Sequence, residues 1–289
     1  MVFVKYMANL EISRAQRLDQ KVVELIPELS RASATKLIVS SKVTVNGEVI
    51  IKPGYKLREG EAVKVDFDVE TLQDIPTIKL PILYEDEDCV VIIKPVGLLT
   101  HSKGEFYPEA TVETWLRART KVTGARAGIV HRLDRATSGV MICAKTPEAL
   151  KWLQKQFAQR KTKKTYFAVV QGTFKEPEAI IDMPIERNPK APATFRVGTN
   201  GKSAQTAYKV IATNADYSLV ELKPVTGRTH QLRVHLNHLG HPIVGDYMYS
   251  GQKNERLMLH AYSLELTLPD RKRMTFHAPI PKEFRKMVS

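Results

Sequence analysis

The run His131-Arg132-Leu133-Asp134-Arg135-Ala136-Thr137-Ser138-Gly139 decides how this chain is read. An apolar run, residues 140–144, follows it directly, so a charged segment leads into a strand-like one. Asp134 stands between Arg132 and Arg135. Nearby cations favour the charged form of a carboxylate. An ionised, positioned carboxylate serves as a nucleophile or a general base. The same pattern arises where an aspartate merely pairs with arginines at a strand start. By itself the segment leaves both readings open.

The chain has 289 residues, room for two domains. Lys and Arg number 44 against 31 Asp and Glu, a formal net charge of +13. Such a surplus favours polyanions, of which nucleic acid is the commonest. Cys89 and Cys143 sit inside apolar runs and read as small buried hydrophobes, not as a disulfide or a metal pair. That usage suits a reducing cytosol. The first ten residues are too short for a signal peptide, and no apolar run approaches the roughly 18 residues of a membrane span. The expectation is a cytoplasmic protein without a membrane attachment.

Working outward from the opening run, residues 1–70 read as a small separate α/β unit. Leu18, Val22, Leu25 and Ile26 follow helical spacing until Pro27. Ser30 is placed to cap a second helix carrying Ala34, Leu37 and Ile38. Asn46-Gly47 between alternating apolar residues of 43–49 signals a tight hairpin, and Val63, Val65 and Phe67 form a last strand. Residues 71–82, with Pro76 and Pro81, read as a linker. Beyond it, 90–93, 140–144, 166–170, 204–211, 218–222 and 257–268 read as strands. Pro147 opens a helix with Leu150, Leu153 and Phe157 on one face, and 229–239 forms a short helix carrying Leu232, Leu236 and Leu239. Many strands with few helices between them predict an α+β domain over 83–289 with a mainly antiparallel sheet.

The N-terminal unit resembles the S-four-type (alpha-L) RNA-binding module of a ribosomal protein. The matching residues are Arg17-Leu18-Asp19, Leu29-Ser30-Arg31-Ala32, Lys36-Leu37-Ile38 and Val43-Thr44-Val45-Asn46-Gly47. Ser41-Lys42 stands where that family often has a glycine. The resemblance implies RNA contacts from Arg14, Arg17, Arg31 and Lys36 on a basic helical face.

Three further motifs accompany the opening run. They are Lys94-Pro95-Val96-Gly97-Leu98-Leu99-Thr100-His101, Lys164-Thr165-Tyr166-Phe167-Ala168, and Gly227-Arg228-Thr229-His230-Gln231-Leu232-Arg233-Val234-His235. In this order they resemble the RluA-type pseudouridine synthases over essentially 83–289. Ala136 departs from the acidic or polar residue common in its slot. The resemblance implies isomerisation of uridine in RNA: the glycosidic bond from ring nitrogen breaks, the base rotates, and it is rejoined through carbon. No redox step or group transfer occurs, so no cofactor and no metal are expected.

By the same match Asp134 is the catalytic aspartate. It has three routes: attack on the sugar, attack on the base, or removal of a sugar proton. Each needs an ionised, close and aimed carboxylate. Arg132 is expected to enter the RNA and hold the gap left by a flipped base. Tyr166 is expected against the flipped uracil, and Leu232 on the base pocket. Arg228 is expected to pair with Asp134 and orient it. Lys94 and His101 are expected to act as supports. The cluster His230, His235, His238 and His241 lacks the spacing of known zinc helices, so RNA contact or packing is the better reading.

Two rivals remain at this point. A binding-only protein is disfavoured by Asp134, Tyr166 and Arg228 occurring together. A glycoside hydrolase needs a second carboxylate, which these motifs lack. The expected substrate is structured RNA, namely large-subunit ribosomal RNA or a pre-ribosomal particle, acted on by a monomer.

Overall fold

The computed structural model describes residues 16–26, 29, 31–67, 76–101, 109–123 and 126–289. Arg14, Pro27 and the Ser30 cap lie outside them. The described residues divide into two compact units, one within 1–78 and 101–114, the other within 79–100 and 115–289. No helix among the described residues is long and apolar enough to cross a membrane.

The first unit runs β1 (Gln16–Arg17), α1 (Leu18–Leu25), α2 (Arg31–Val39), β2 (Val43–Val45), β3 (Glu48–Val49), β4 (Lys56–Leu57) and β5 (Val63–Val65). Strands β3-β2-β5 form one antiparallel sheet, and β1 pairs with β4. Asn46 and Gly47 both have positive φ, +51° and +86°, the backbone a two-residue hairpin turn of matching twist requires. Leu18 and Val22 from the first helix and Ile26 just after it close on Ile38, Val43, Leu57 and Val65 to make the core. Beneath its surface sits Asp19, with a side chain 4 % exposed. Arg17 donates to both of its oxygens at 3.0 and 3.1 Å, and Arg31 donates at 2.9 Å. The Arg17 hydrogen bond holds the Asp19 carboxyl below its ordinary value; burial opposes this and Arg31 reinforces it. The two guanidinium groups are thereby anchored while their side chains stay about half exposed, at 48 % and 57 %. Lys36 is exposed on α2.

The second unit is dominated by one nine-stranded sheet. Its strands are β6 (Ile82–Glu85), β7 (Cys89–Lys94), β8 (Ser138–Ala144), β9 (Lys163–Gln171), β10 (Glu178–Asp182), β13 (Gln205–Thr213), β14 (Tyr217–Pro224), β15 (Leu259–Thr267) and β16 (Arg273–His277). A separate hairpin pairs β11 (Ile185–Arg187) with β12 (Phe195–Val197). The spatial order is β10-β13-β14-β9-β15-β8-β7-β6, with β16 beside the far end of β15. All these pairings are antiparallel except β15 with β8. Strand β15 thus joins two halves, β6-β7-β8 on one side and β9-β14-β13-β10 on the other. Helix α3 (Val112–Arg117) is divided between the two units after Thr114, and the second unit also holds α4 (Pro147–Ala158), α5 (Gln231–His238) and α6 (Lys282–Lys286). The architecture is α+β with a mainly antiparallel sheet.

Strand β8 is buried at every position, which is why its residues 140–144 are an unbroken apolar run. Cys143 on it and Cys89 on β7 are both buried free thiols. Helix α4 starts where Thr146 Oγ1 accepts the Ala149 N–H at 3.2 Å with Pro147 in the first turn. Its Gln156 receives the Thr267 N–H at 2.9 Å and donates to the Thr267 carbonyl, clasping the end of β15. Strand β6 begins at Ile82, the last residue of the stretch read as a linker.

Candidate active site

Asp134 lies in the extended segment that turns at Arg135-Ala136 into β8. Several contacts fix this segment. Thr137 N–H donates to the Asp134 carbonyl at 3.0 Å. Thr100 Oγ1 brackets Leu133, donating to its carbonyl at 2.8 Å and accepting its N–H at 3.2 Å. Lys94 is wholly buried and its ammonium donates to the carbonyls of Pro95, Leu98 and Arg135. Burial pulls its pKa down to about 7, with the Asp134 charge acting the other way. At the end of the segment Gly139 has φ +125°, and a Cβ there would sit 2.2 Å from the Ala261 carbonyl oxygen. The glycine lets β15 approach closely enough to pair with β8.

The Asp134 side chain, 23 % exposed, faces a pocket of about 140 Å³ lined by Arg132, Tyr166, Lys164, Thr226, Arg228, Leu232 and Leu259 among others. Cavities of about 150 Å³ hold one benzene ring, so a single pyrimidine ring fits. Tyr166 projects from β9, where it is paired with Leu222 of β14 and Ala261 of β15. Burial raises its phenol pKa, and the Asp134 charge adds to this; the ring presents a neutral hydroxyl. Lys164, also on the wall, is brought down to about 8 by burial and then by Arg160. Arg132 is exposed at the pocket and Leu232 is buried on its wall.

The turn into α5 also lines the pocket. Gln231 organises it, taking the Arg228 N–H at 3.0 Å and the Thr226 hydroxyl at 2.7 Å, and donating to Gln205 O and Thr206 Oγ1. His230 caps the helix in a left-handed conformation, φ 57° and ψ 18°, which is strained for a residue with a Cβ. Its Nε2 is 3.8 Å from Asp134 Oδ2.

The expected pairing of Arg228 with Asp134 is corrected. Arg228 lines the pocket, but its Nε donates to the Ser203 carbonyl at 2.9 Å. The arginine that approaches the carboxylate is Arg233, with NH1 at 3.7 Å. Arg228 precedes the helix and is half-buried, whereas Arg233 lies buried in the first turn of α5. Arg233 is itself held by Asp246 through two hydrogen bonds of 2.7 Å, in a pair whose side chains are 6 % and 0 % exposed. Burial works against the Arg233 charge, and the Asp246 hydrogen bond and charge outweigh it, so its pKa stays raised. Asp134 therefore feels a fixed cation that is too far away to occupy its lone pairs. That arrangement keeps an anion in place without blocking it as a nucleophile or base.

Three histidines of the cluster, His230, His235 and His241, have partners within the protein, and His238 is exposed. His235 bridges Thr206 and the Met183 carbonyl at 3.0 Å each. His241 contacts the Gln171 carbonyl at 3.0 Å and stacks on Phe174. No group of three or more candidate metal ligands occurs among the described residues.

The sequence reading missed Arg233, Asp246, His230 as a neighbour of the carboxylate, and Tyr249 behind it. One signal was present. An arginine between Leu232 and Val234 on an apolar helix face needs a buried acid, and Gly240-His241-Pro242-Ile243-Val244-Gly245-Asp246 supplies one.

A domain of this architecture, with a carboxylate facing a ring-sized pocket under a strong positive charge, belongs among enzymes that act on nucleic-acid bases. A family model described as RNA pseudouridylate synthase matches residues 88–238, and one described as S4 domain matches 16–63. The chain belongs to the RNA pseudouridylate synthase family, and it is an RNA pseudouridine synthase, an isomerase. It is 37 % identical over 294 residues to an uncharacterized RNA pseudouridine synthase of Aquifex aeolicus, covering 95 % of this chain and 93 % of that one. It is 36 % identical over 303 residues to ribosomal large subunit pseudouridine synthase D of Yersinia pestis, covering 96 % and 92 %. Among solved structures it is similar to human RNA pseudouridylate synthase domain containing 1, with a TM-score of 0.59 and 30 % identity over 70 % of this chain and 83 % of that one.

Proposed function

We propose that this enzyme isomerises specific uridines of large-subunit ribosomal RNA, free or in a pre-ribosomal particle, with Asp134 as the reacting carboxylate. The observation that carries the assignment is Asp134 on the wall of a ring-sized pocket that Tyr166 also lines, within 4 Å of Arg233. A uridine in a helix must leave its stack to reach it, at a cost of a few kcal/mol. Arg132, exposed beside the pocket, is the residue to fill the vacated space, and Tyr166 packs against the extruded ring. Leu232 supplies an apolar edge. Arg228, anchored on Ser203, meets a phosphate or ribose at the rim.

In this reading residues 1–70 form the RNA-binding module, 71–82 the linker and 83–289 the catalytic domain. Arg17 and Arg31, anchored on Asp19, and Lys36 contact the RNA backbone. The chain works in the cytoplasm as a monomer without cofactor or metal. The ribosomal target is supported by the names of its full-length relatives.

Asp134→Asn tests the assignment: isomerisation is lost while RNA affinity persists. An active asparagine variant refutes it. Mapping pseudouridine in total RNA with and without this gene identifies the target, and a missing site outside large-subunit RNA overturns the substrate.

A further inference from the structure

The polar contacts behind His230 determine which of its ring nitrogens carries the proton. Tyr249 is buried, 4 % exposed, in the turn that follows Asp246. Among the described residues its hydroxyl has two hydrogen-bonding neighbours. The Phe195 backbone N–H, on β12, donates to it at 2.9 Å, and His230 Nδ1 lies 2.8 Å away. A backbone amide only donates, so the phenol oxygen accepts there. The single phenol proton is then directed to Nδ1. An imidazole nitrogen that accepts carries no hydrogen, and a neutral ring places its hydrogen on the other nitrogen. Nε2–H therefore faces Asp134 Oδ2. The opposite tautomer turns a lone pair toward the carboxylate and diverts the phenol proton from Nδ1.

The surroundings keep the ring neutral and still. Burial lowers the His230 pKa, opposed by the charge of Asp134; Arg233 lowers it further, Asp246 raises it and Arg132 lowers it. The rings of Phe195 and Tyr249 pack edge-on against the imidazole at 5.7 and 5.6 Å. The Arg233 guanidinium lies 5.0 Å from the Tyr249 ring centre.

We infer that Tyr249 is a positioning residue for the isomerisation: it holds His230 as the Nε2–H tautomer, which presents a neutral hydrogen-bond donor to Asp134 beside the charged one of Arg233. This rests on Asp134 being the reacting carboxylate. At 3.8 Å the donor is not yet bonded, and a shift of roughly 1 Å brings it into range. A donor that engages only when the carboxylate moves acts on the reacting state rather than on the resting one.

The test uses the full chain labelled with ¹⁵N-histidine. Long-range proton–nitrogen spectra assign the His230 tautomer, identified by the signal lost in His230→Gln. The wild type shows Nε2–H, and Tyr249→Phe shifts the ring toward Nδ1–H. On saturating RNA, Tyr249→Phe lowers kcat about tenfold with KM little changed. His230→Gln lowers kcat by itself, because it removes the ring that faces Asp134. Adding Tyr249→Phe to His230→Gln produces no further loss. A wild-type Nδ1–H signal overturns the inference, as does an equal kcat loss from Tyr249→Phe in both backgrounds. The spectrum does not depend on which carboxylate reacts, so a failure of the Asp134 assignment is read separately, from the activity of Asp134→Asn.

Discussion

Replacing Asp246 by asparagine tests whether the Arg233 cation is held in place or merely packed. The wild-type pair is bidentate at 2.7 Å with both side chains almost fully out of solvent. Removing one partner of a buried pair leaves the other charge uncompensated, at a cost of about 3–5 kcal/mol. Asp246 Oδ1 also accepts the Met248 N–H at 3.2 Å; asparagine keeps one acceptor for that N–H or for Arg233, so the lower end applies, about 3 kcal/mol. For a domain with a typical stability of about 5–15 kcal/mol the variant stays folded and can be assayed. The freed guanidinium also gains a new option. Asp134 is 3.7 Å from NH1, and without Asp246 Arg233 closes onto it and occupies the lone pairs the reaction needs. Activity falls along with stability. Urea unfolding of wild type, Asp246→Asn, Arg233→Met and the double variant completes the cycle, and the double variant is more stable than Asp246→Asn alone because the buried guanidinium is gone. A loss below about 1 kcal/mol in Asp246→Asn, or strict additivity in the double variant, refutes the reasoning.

Other consequences are equally direct. Gly139→Ala forces a Cβ against the Ala261 backbone at positive φ; thermal unfolding should show a loss of about 3 kcal/mol or more, and a change within experimental error contradicts the close approach of β8 and β15. His131 stacks on Phe157 at 4.6 Å and accepts the Ile142 N–H at 3.2 Å, and burial lowers its pKa from 6.5 to about 3. Between those values the unfolded chain binds the extra proton, so stability falls as pH is lowered from about 6.5, by up to about 1.4 kcal/mol per pH unit. His131→Gln keeps an acceptor and flattens this slope in urea titrations from pH 6 to 4; an unchanged slope removes His131 from the account. Asp19→Asn releases Arg17 and Arg31 and should weaken RNA binding severalfold at low salt while leaving kcat at saturating RNA intact; unchanged affinity argues against anchored arginines as contacts. Because Arg17 depresses the Asp19 pKa, its contribution to stability is present above about pH 4 and is lost as pH falls through the lower folded value, which acid unfolding of Asp19→Asn against wild type measures.

Elements with a strong local signal were readable before any coordinates. Asn46-Gly47 predicts its hairpin because both positions need positive φ. The runs around Val90 and Val140 predict buried strands because both of their faces are covered. Strands β10 and β16 escaped notice for the opposite reason. Each has five residues, mostly exposed, at a margin of the sheet, and only pairing with β13 or β15 makes them strands. The site was legible in part. Motif order pointed to Asp134, Tyr166, Arg132 and Leu232, all of which lie at one pocket. Which arginine faces the carboxylate depends on where α5 begins, and a linear motif with Arg228 and Arg233 does not contain that. The tyrosine behind His230 is brought in by a turn that local pattern does not orient.

The position of β15 has a bearing on when the enzyme becomes active. Asp134 belongs to the half of the sheet that ends in β8, and Tyr166 to the half that begins with β9. The strand that seats them side by side lies more than ninety residues after Tyr166 and more than one hundred and twenty after Asp134. Contacts so distant in sequence form late, and a chain emerging from the ribosome lacks them until residue 267 is out of the exit tunnel. A nascent chain therefore has two half-sheets and no assembled pocket until β15 has emerged and paired with both.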